Sequence, residues 1–228
     1  MSEPRQRSVL VIAAHPDDEI LGCGGTACMH ADSGDSVYAL IACEGESLRY
    51  GPEGAGQRDS MRRAAEIVGF RDVISLEFQD QTLDTKALTA VIGGIEPVVA
   101  RVRPQIVYVQ FGGDVNQDHQ VLFRAALVAT RPVSRYIEAV YAFDTASSTE
   151  WNYPRSFVPD TWVDISAVLE RKLAAMNCYE SEVCEYPHPR SIGALRNKAR
   201  AWGNQVCVDA AEPFMTIRRV LRDGKTPV

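Results

Sequence analysis

The sequence predicts an α/β fold, a mostly parallel sheet with helices on both faces in a Rossmann-like arrangement. The first observation is alternation, because short apolar runs of strand length and longer segments with helical spacing follow one another along the 228 residues. The second is the character of the runs. Segment 9–12 is apolar at every position, which is typical of a strand buried on both faces. Such strands need helices packed on both sides of their sheet.

The boundaries of the elements follow from residues that begin or end them. Gly34 ends the first predicted helix and Gly69 the second. Two glycines and Pro97 weaken the prediction of the third helix, and Asp164 is suited to cap the fifth. The predicted strands span 9–12, 37–42, 73–78, 106–109, 137–141 and 161–163. The predicted helices span 19–31, 61–68, 88–102, 121–130 and 191–202, and the fifth helix follows Asp164 and carries Val168, Leu169, Leu173 and Met176.

Composition and charge are those of an ordinary soluble chain, with 46% hydrophobic and 24% charged residues. The net charge is −6 and lysines and arginines form no cluster, so we expect no nucleic-acid partner. The first apolar run, 9–14, is far too short for a membrane span or a signal-peptide core, which predicts no membrane span and a cytoplasmic location. The length suits a single domain over residues 1–228.

Loops at the carboxyl ends of parallel strands are the places where ligands bind in such sheets. Three loops qualify, after positions 14, 42 and 109. The first contains His15, Asp17 and Asp18 where a buried strand meets a helix. One of these carboxylates would suffice to cap that helix, so this loop alone leaves capping and chemistry equally open.

The loop after the fourth strand also meets a helix N-terminus and contains Asn116, Asp118 and His119. A lone histidine there is more often structural than a ligand. However, two of the chain's four histidines, His15 and His119, lie at sheet-end loops beside aspartates, and capping does not explain both. Two imidazoles and one carboxylate form a hydrolytic zinc site with an open position for water, or a site for Fe(II).

The first helix contains Gly22, Gly24 and Gly25, which invite comparison with a dinucleotide-binding loop. The spacing does not fit, because Ala27 stands where the third glycine belongs. We expect instead that these glycines let the helix pack closely on the sheet.

The segment AHPDDEILGCGG, at 14–25, resembles the signature of the LmbE-like, or PIG-L, deacetylase family. This motif is highly specific, whereas the other matching segments are individually modest. Cys43 departs from the threonine usual in one of them, and Met61 stands where a glutamate is usual. The further segments that resemble the family are 43–46, 58, 78–84, 116–119, 188–191 and 211–214. The resemblance covers most of the chain and implies an LmbE-like fold.

The resemblance also implies a catalytic centre. By motif position, His15, Asp18 and His119 would be zinc ligands, and Asp17 the general base. Asp118 would orient a neighbouring catalytic group. Fe²⁺ and other divalent metals are alternatives to Zn²⁺.

Further residues are implied to contact the substrate. Arg58 and Asp80 would hold sugar hydroxyls. Many members have a histidine three residues before the last ligand, but this chain has Asn116, which can donate a hydrogen bond to an oxyanion but cannot act as an acid. His188 is the candidate replacement, unless it lies in a surface turn. Arg190 suits a phosphate or carboxylate on the substrate, with an ordinary surface arginine as the alternative.

The function implied is removal of an acetyl group from an N-acetylated amino sugar, a GlcNAc-type glycoconjugate or nucleotide sugar. One alternative is an Fe(II) oxidoreductase with the same three ligands, which would not need the second carboxylate of Asp17. The other is a metal- or sugar-binding module without catalysis. The expected partner is a small amino-sugar substrate, and the chain could form a homo-oligomer.

Overall fold

The computed structural model describes residues 6–48 and 56–221. In this part of the chain no helix is long and apolar enough to cross a membrane. The strands are β1 (Ser8–Ala13), β2 (Ser36–Cys43), β3 (Asp72–Phe78), β4 (Ile106–Gln110), β5 (Ala139–Phe143), β6 (Thr161–Asp164) and β7 (Ala211–Arg219). The helices are α1 (Asp18–Asp32), α2 (Gln57–Val68), α3 (Leu88–Val102), α4 (Gln117–Ala129), α5 (Leu169–Met176) and α6 (Ile192–Asn204).

The strands form one sheet in the order β3-β2-β1-β4-β5-β7-β6. Strands β1 to β5 pair in parallel, and β7 runs antiparallel to both β5 and β6. The predicted mostly parallel sheet is therefore confirmed. The chain winds from β1 to β2 in one direction and continues at β4 on the other side of β1, so a topological switch lies between β1 and β4. Ligands bind at the carboxyl ends of such strands.

Both faces of the sheet are covered by helices, as predicted. Alternate residues of β1 enter two separate clusters, with Val9 and Val11 on one face and Leu10 and Ile12 on the other. Helices α1, α2, α5 and α6 contribute to the first cluster, and α3 and α4 to the second. This two-sided burial explains why the central strands are apolar at successive positions.

The prediction that Asp164 caps a helix is wrong. Asp164 is the last residue of β6, and its carboxylate accepts the backbone N–H of Ser166 at 2.9 Å in the turn that follows. Helix α5 begins at Leu169, and its N-terminal flanking residue Val168 offers no side-chain cap. The Asp164 side chain therefore hydrogen-bonds the backbone of a short turn instead of the N-terminus of α5.

Strand β7 was not predicted, and it supports the first helix. Helix α1 departs from helical geometry at Cys23, which has φ −143° and ψ 24°. Glu212, on β7, accepts the backbone N–H groups of Gly25 at 2.9 Å and Thr26 at 2.7 Å just beyond that departure. The buried amine of Lys172 pairs with Glu212 at 2.6 Å. Glu212 thus satisfies N–H groups at the start of the second half of α1.

The glycines of α1 allow close packing, as expected. A Cβ atom at Gly22 would lie 2.0 Å from the ring of Phe143, and one at Gly25 would lie 2.8 Å from Ile165. Phe143 is fully buried in β5 and cannot move aside without disturbing the core. The role of Gly22 and Gly25 is therefore steric, because a Cβ atom at either position would collide with a neighbouring side chain.

Gly22→Ala should lower the free energy of unfolding by about 1–3 kcal/mol, because the added methyl overpacks the core against Phe143. Gly93→Ala is the matched control, since its Cβ would meet nothing within 4 Å on helix α3. There the same substitution should be neutral or gain up to about 1 kcal/mol of helix propensity. Urea unfolding of both variants measures the difference. Equal stabilities would contradict the packing explanation.

Candidate metal centre

Two imidazoles meet at the switch point of the sheet. His15 follows β1 by two residues, and His119 lies in the first turn of α4, after β4. Because β1 and β4 are neighbours, the two loops bring the ring centres to 5.3 Å. Both histidines are buried. The sheet topology therefore assembles a pair of residues that are far apart in the chain.

Three side-chain atoms form a nearly equilateral triangle. His15 Nδ1 lies 3.3 Å from both His119 Nε2 and Asp18 Oδ2, and the latter two atoms are 3.4 Å apart. A tetrahedral ion with bonds of about 2.0–2.1 Å separates its ligand atoms by about 3.3–3.4 Å. The geometry and the two-nitrogen, one-oxygen donor set thus fit a divalent transition metal, with the fourth position left to substrate or water.

The pKa values of the three candidate ligands are those expected of a site that releases protons when it binds a cation. Burial opposes the charge on His15, but hydrogen bonds to Asp118 and Asp18 raise its pKa well above the ordinary value. Burial also opposes the charge on Asp18, yet the neighbouring charge of His119 lowers the pKa of that carboxyl far below its usual range. A metal must displace protons from the imidazoles, so metal affinity should fall as the pH falls.

Carboxylates on the far side of each ring fix its orientation. His15 Nε2 lies 3.0 Å from Asp118 Oδ2, and His119 Nδ1 lies 3.2 Å from Asp114 Oδ1. Both carboxylates are buried. Such partners select the tautomer that presents the free nitrogen to a metal. Asp118 therefore contacts a candidate ligand, His15, and its orienting role stays a prediction.

Asp114 was not among the predicted site residues. Its carboxylate accepts the hydroxyls of Ser148 and, at 2.8 Å, Thr149, and the backbone N–H of Asn116 at 2.9 Å. Its position in the glycine- and aspartate-rich loop before His119 was a signal, but Ser148 and Thr149 come from a distant segment. A carboxylate held at both oxygens is a rigid support for the His119 ring.

A second set of donor atoms consists of His15, Cys43 and Asp118. Burial raises the pKa of the Cys43 thiol to about 11, so it stays protonated near neutral pH. Its Sγ lies 3.5 Å from Asp118 Oδ2 and acts as a hydrogen-bond donor. These contacts belong to the network that orients His15, since a thiol binds metals as the thiolate.

Asp17 has a strained backbone between the two ligands His15 and Asp18. Its φ is 106°, in the region that non-glycine residues rarely adopt. Glu19 stabilises this turn by accepting the backbone N–H of Asp17 at 3.1 Å, and the buried Tyr179 hydroxyl donates to Glu19 in turn. Strain of this kind concentrates at functional sites, where it holds a side chain in one position.

The side chain of Asp17 is buried, and its Oδ2 has no hydrogen-bond partner among the described residues. The nearest cation is Arg190, whose Nη1 lies 3.6 Å away. Burial and the charges of Asp18 and Glu182 raise the pKa of Asp17 well above its ordinary value, against the opposing effect of Arg190. A buried carboxylate oxygen without a partner is suited to accept a proton from a bound molecule.

A cavity of about 170 Å³ opens onto these residues. Its wall includes the three candidate ligands and Asp17, together with Asn116, His188 and Arg190. Trp151 lies at the same cavity, with its ring plane nearly perpendicular to that of His188 and a centroid distance of 6.0 Å. The structure therefore brings His188 to the same cavity as His15 and His119.

A model of the PIG-L family, described as GlcNAc-PI de-N-acetylase, matches residues 10–130, more than half of the chain. The chain belongs to the PIG-L family. The matched region contains both loops of the metal centre. The family resemblance expected from the motif at 14–25 is thereby confirmed, and the protein is an enzyme of a metal-dependent N-deacetylase family.

Individual relatives differ in named activity. Diacetylchitobiose deacetylase of Thermococcus kodakarensis is 29% identical over 192 residues, which cover 78% of this chain and 71% of that protein. 4-Oxalmesaconate hydratase of Pseudomonas putida is 28% identical over 198 residues, covering 76% and 73%. The crystal structure of a conserved protein from Thermus thermophilus matches with 27% identity and a TM-score of 0.79, covering 98% of this chain and 100% of that one.

Two residues predicted to bind sugar in this PIG-L protein lie away from the cavity wall. Arg58 is exposed on α2, pairs with Glu77 and lines a separate groove. Asp80 is fully buried, and its Oδ1 lies 3.4 Å from His15 Nε2. These contacts suit Asp80 to support His15. The sugar-binding roles of Arg58 and Asp80 stay predictions.

Asn116 contributes to local structure as well as to the cavity wall. Its Oδ1 accepts the backbone N–H of Asp118 at 2.8 Å and thereby caps helix α4. Its Nδ2 donates to Gln81 at 3.3 Å. The oxygen and the nitrogen of the Asn116 amide are therefore both engaged. Of Asn116 and His188, which line the same cavity, only His188 can carry a proton.

Proposed function

We propose that this PIG-L protein is a zinc-dependent hydrolase that removes the acetyl group from an N-acetylated amino sugar. One observation carries the proposal: the Asp17 oxygen without a hydrogen-bond partner belongs to the same cavity as three side chains with tetrahedral ligand spacing. Metal binding alone has no use for such a group, whereas hydrolysis needs a base beside the metal.

The metal would be held by His15, Asp18 and His119. When bound, it supplies Lewis-acid chemistry, making water more acidic and polarising the amide carbonyl. Asp17 takes the proton of the attacking water as the new C–O bond forms. The C–N bond then breaks, and the leaving nitrogen must receive a proton for acetate and a free amine to be released.

His188 is the residue that we assign to protonating the leaving amine. Its Nδ1 accepts the backbone N–H of Arg190 at 3.1 Å, so in the neutral ring the proton is on Nε2. Nδ1 is thus occupied by the backbone N–H of Arg190, and Nε2 is the nitrogen available to a molecule in the cavity that His188 lines. With its proton on Nε2 the neutral ring can donate a hydrogen bond to an oxyanion. To protonate the amine the ring must also take up a proton at Nδ1, which breaks the contact with the N–H of Arg190.

His188→Ala should lower kcat by about 100-fold, the lower end of the usual effect of a general acid. His188→Gln separates the two roles, since an amide donates a hydrogen bond but no proton. Zinc content should be unchanged in both. Unchanged kcat in the alanine variant would refute the assignment.

The substrate class rests on the family and on relatives named as deacetylases of N-acetylated sugars. A second candidate function has a specific observation behind it, since one relative is named as a hydratase. Both reactions add water, which a bound metal can activate, so the ligand triangle alone does not separate them. They differ in product, because only deacetylation releases acetate and a free amine.

A substrate panel distinguishes these functions. The zinc-loaded protein is incubated with N-acetylated sugars, with N-acetylated peptides and with an unsaturated dicarboxylic acid as hydratase substrate. We expect acetate from at least one amino sugar. Hydration of the acid with no acetate release would favour the hydratase, and oxygen consumption by an iron-loaded sample would favour the oxidoreductase. Acetate from peptides alone would refute the sugar assignment.

A further inference from the structure

Arg190 is the one lysine or arginine that lines the cavity within residues 6–48 and 56–221. Its guanidinium already has two carboxylate neighbours, Glu182 at 2.7 Å and Asp17 at 3.6 Å. Glu182 is buried and receives a further hydrogen bond from Gln57 at 3.0 Å, which fixes it beside the arginine. The positive charge of Arg190 is therefore balanced from within the protein.

Negative charge exceeds positive charge around the cavity. Among the residues that the structure describes, six buried carboxylates line it or contact the side chains that do. With every carboxylate counted as ionised, one guanidinium and the two charges of a divalent metal leave three formal negative charges unbalanced. An anionic substrate is repelled by such a site, because like charges beside the low-dielectric protein interior interact more strongly than in bulk water. The six are Asp17, Asp18, Asp80, Asp114, Asp118 and Glu182.

The cavity wall also offers an apolar face. Trp151 is 51% exposed although it is among the largest apolar side chains, and it lines the same cavity as His188. The planes of the indole and of the His188 ring are nearly perpendicular, at 87°, so the two rings are not stacked face to face. A rigid indole buries a large apolar area at little entropic cost, and the C–H face of a pyranose ring supplies a matching surface.

We propose that the substrate is an uncharged N-acetylated oligosaccharide whose second sugar ring packs on Trp151, and that conjugates bearing phosphate or carboxylate are selected against. This inference rests on the proposed function and narrows it. A phosphate would find no unpaired lysine or arginine on the described wall, whereas a neutral sugar carries no charge for the surrounding carboxylates to repel.

The preference for an uncharged substrate is tested by comparing N,N′-diacetylchitobiose with N-acetylglucosamine 1-phosphate and UDP-N-acetylglucosamine. At low salt, kcat/KM should be at least about tenfold higher for the neutral disaccharide. The difference should shrink as sodium chloride rises from about 0.01 to 0.3 M, because salt screens the repulsion of the anions. Equal or higher kcat/KM for either anion at low salt overturns the inference.

The packing of the second sugar ring on Trp151 is tested with the variants Trp151→Ala and Trp151→Phe. The alanine variant should raise KM for the disaccharide by about tenfold and leave kcat within threefold, and phenylalanine should restore most of the affinity. The N-acetylglucosamine methyl glycoside, which lacks a second ring, should be affected less. Calorimetry of the disaccharide with chelator-treated protein gives the same comparison without turnover. Equal affinities in the alanine and wild-type proteins overturn the stacking role.

Failure of this inference is distinguishable from failure of the proposed function. If no N-acetylated sugar in the set yields acetate, the deacetylase assignment itself is wrong. If acetate is released but the phosphate-bearing sugars are preferred, the deacetylase assignment stands and the neutral-substrate inference alone is rejected.

Discussion

His119→Ala should abolish stoichiometric metal binding while the protein remains folded. The substitution removes one corner of the ligand triangle and leaves only His15 and Asp18. Loss of a partner behind a ligand typically lowers metal affinity by 10–100-fold, so loss of the ligand itself should cost more than about 100-fold. Metal content after dialysis and competition with a chromogenic chelator measure the change.

His30→Ala is the matched control for this prediction. His30 is also a partly buried histidine with a carboxylate partner, since it pairs with Asp35 at 2.7 Å and contacts the Tyr108 hydroxyl at 3.0 Å. It lies near the far end of α1 from the cavity. Its variant should bind metal like the wild type. One equivalent of zinc bound with unchanged affinity by the His119 variant would show that the ligand assignment is wrong.

Asp17→Asn should retain metal and lose turnover. The amide has the shape of the carboxylate but cannot accept the proton of the attacking water, a step typically worth about 10²–10⁴-fold in kcat. The backbone should tolerate the change, because asparagine is among the residues that best adopt a positive φ such as the 106° of Asp17. Metal content and kcat are measured on the same preparation.

Asp35→Asn serves as the control for removing a buried carboxylate elsewhere, where it supports His30 and the N–H of Arg7. It should leave kcat within a factor of about two or three, as expected for a site remote from the chemistry. Near wild-type turnover in the Asp17 variant would remove the general base from the mechanism. Loss of metal in that variant would instead make Asp17 a ligand.

The first half of the fold was predictable because each central strand is buried on both faces and each helix follows with its own periodicity. The same pattern placed His15 and His119 at carboxyl ends of strands, and sheet topology then made β1 and β4 neighbours. Strand β7 was not predictable in this way. Its segment mixes Glu212, Pro213 and Arg218 with apolar residues, and its strand conformation depends on antiparallel pairing with β5 and β6.

The outer contacts of the site depend on distant segments, which a linear pattern does not reveal. Asp114 supports His119 only because the segment that carries Ser148 and Thr149 returns to it after β5. The engagement of Arg190 with Glu182 likewise appears only in the folded chain. The sequence suggested Arg190 as a phosphate ligand because an arginine in a loop has no visible partner until the loop is placed.

The central claim is tested most directly by titrating zinc into chelator-treated protein and following acetate release from an N-acetylated amino sugar in ¹⁸O-labelled water. We predict that activity rises in proportion to zinc up to one equivalent, and that each acetate carries one solvent oxygen and appears with one free amine. Undiminished acetate release by the metal-free protein, or no acetate at any zinc content, would contradict the account.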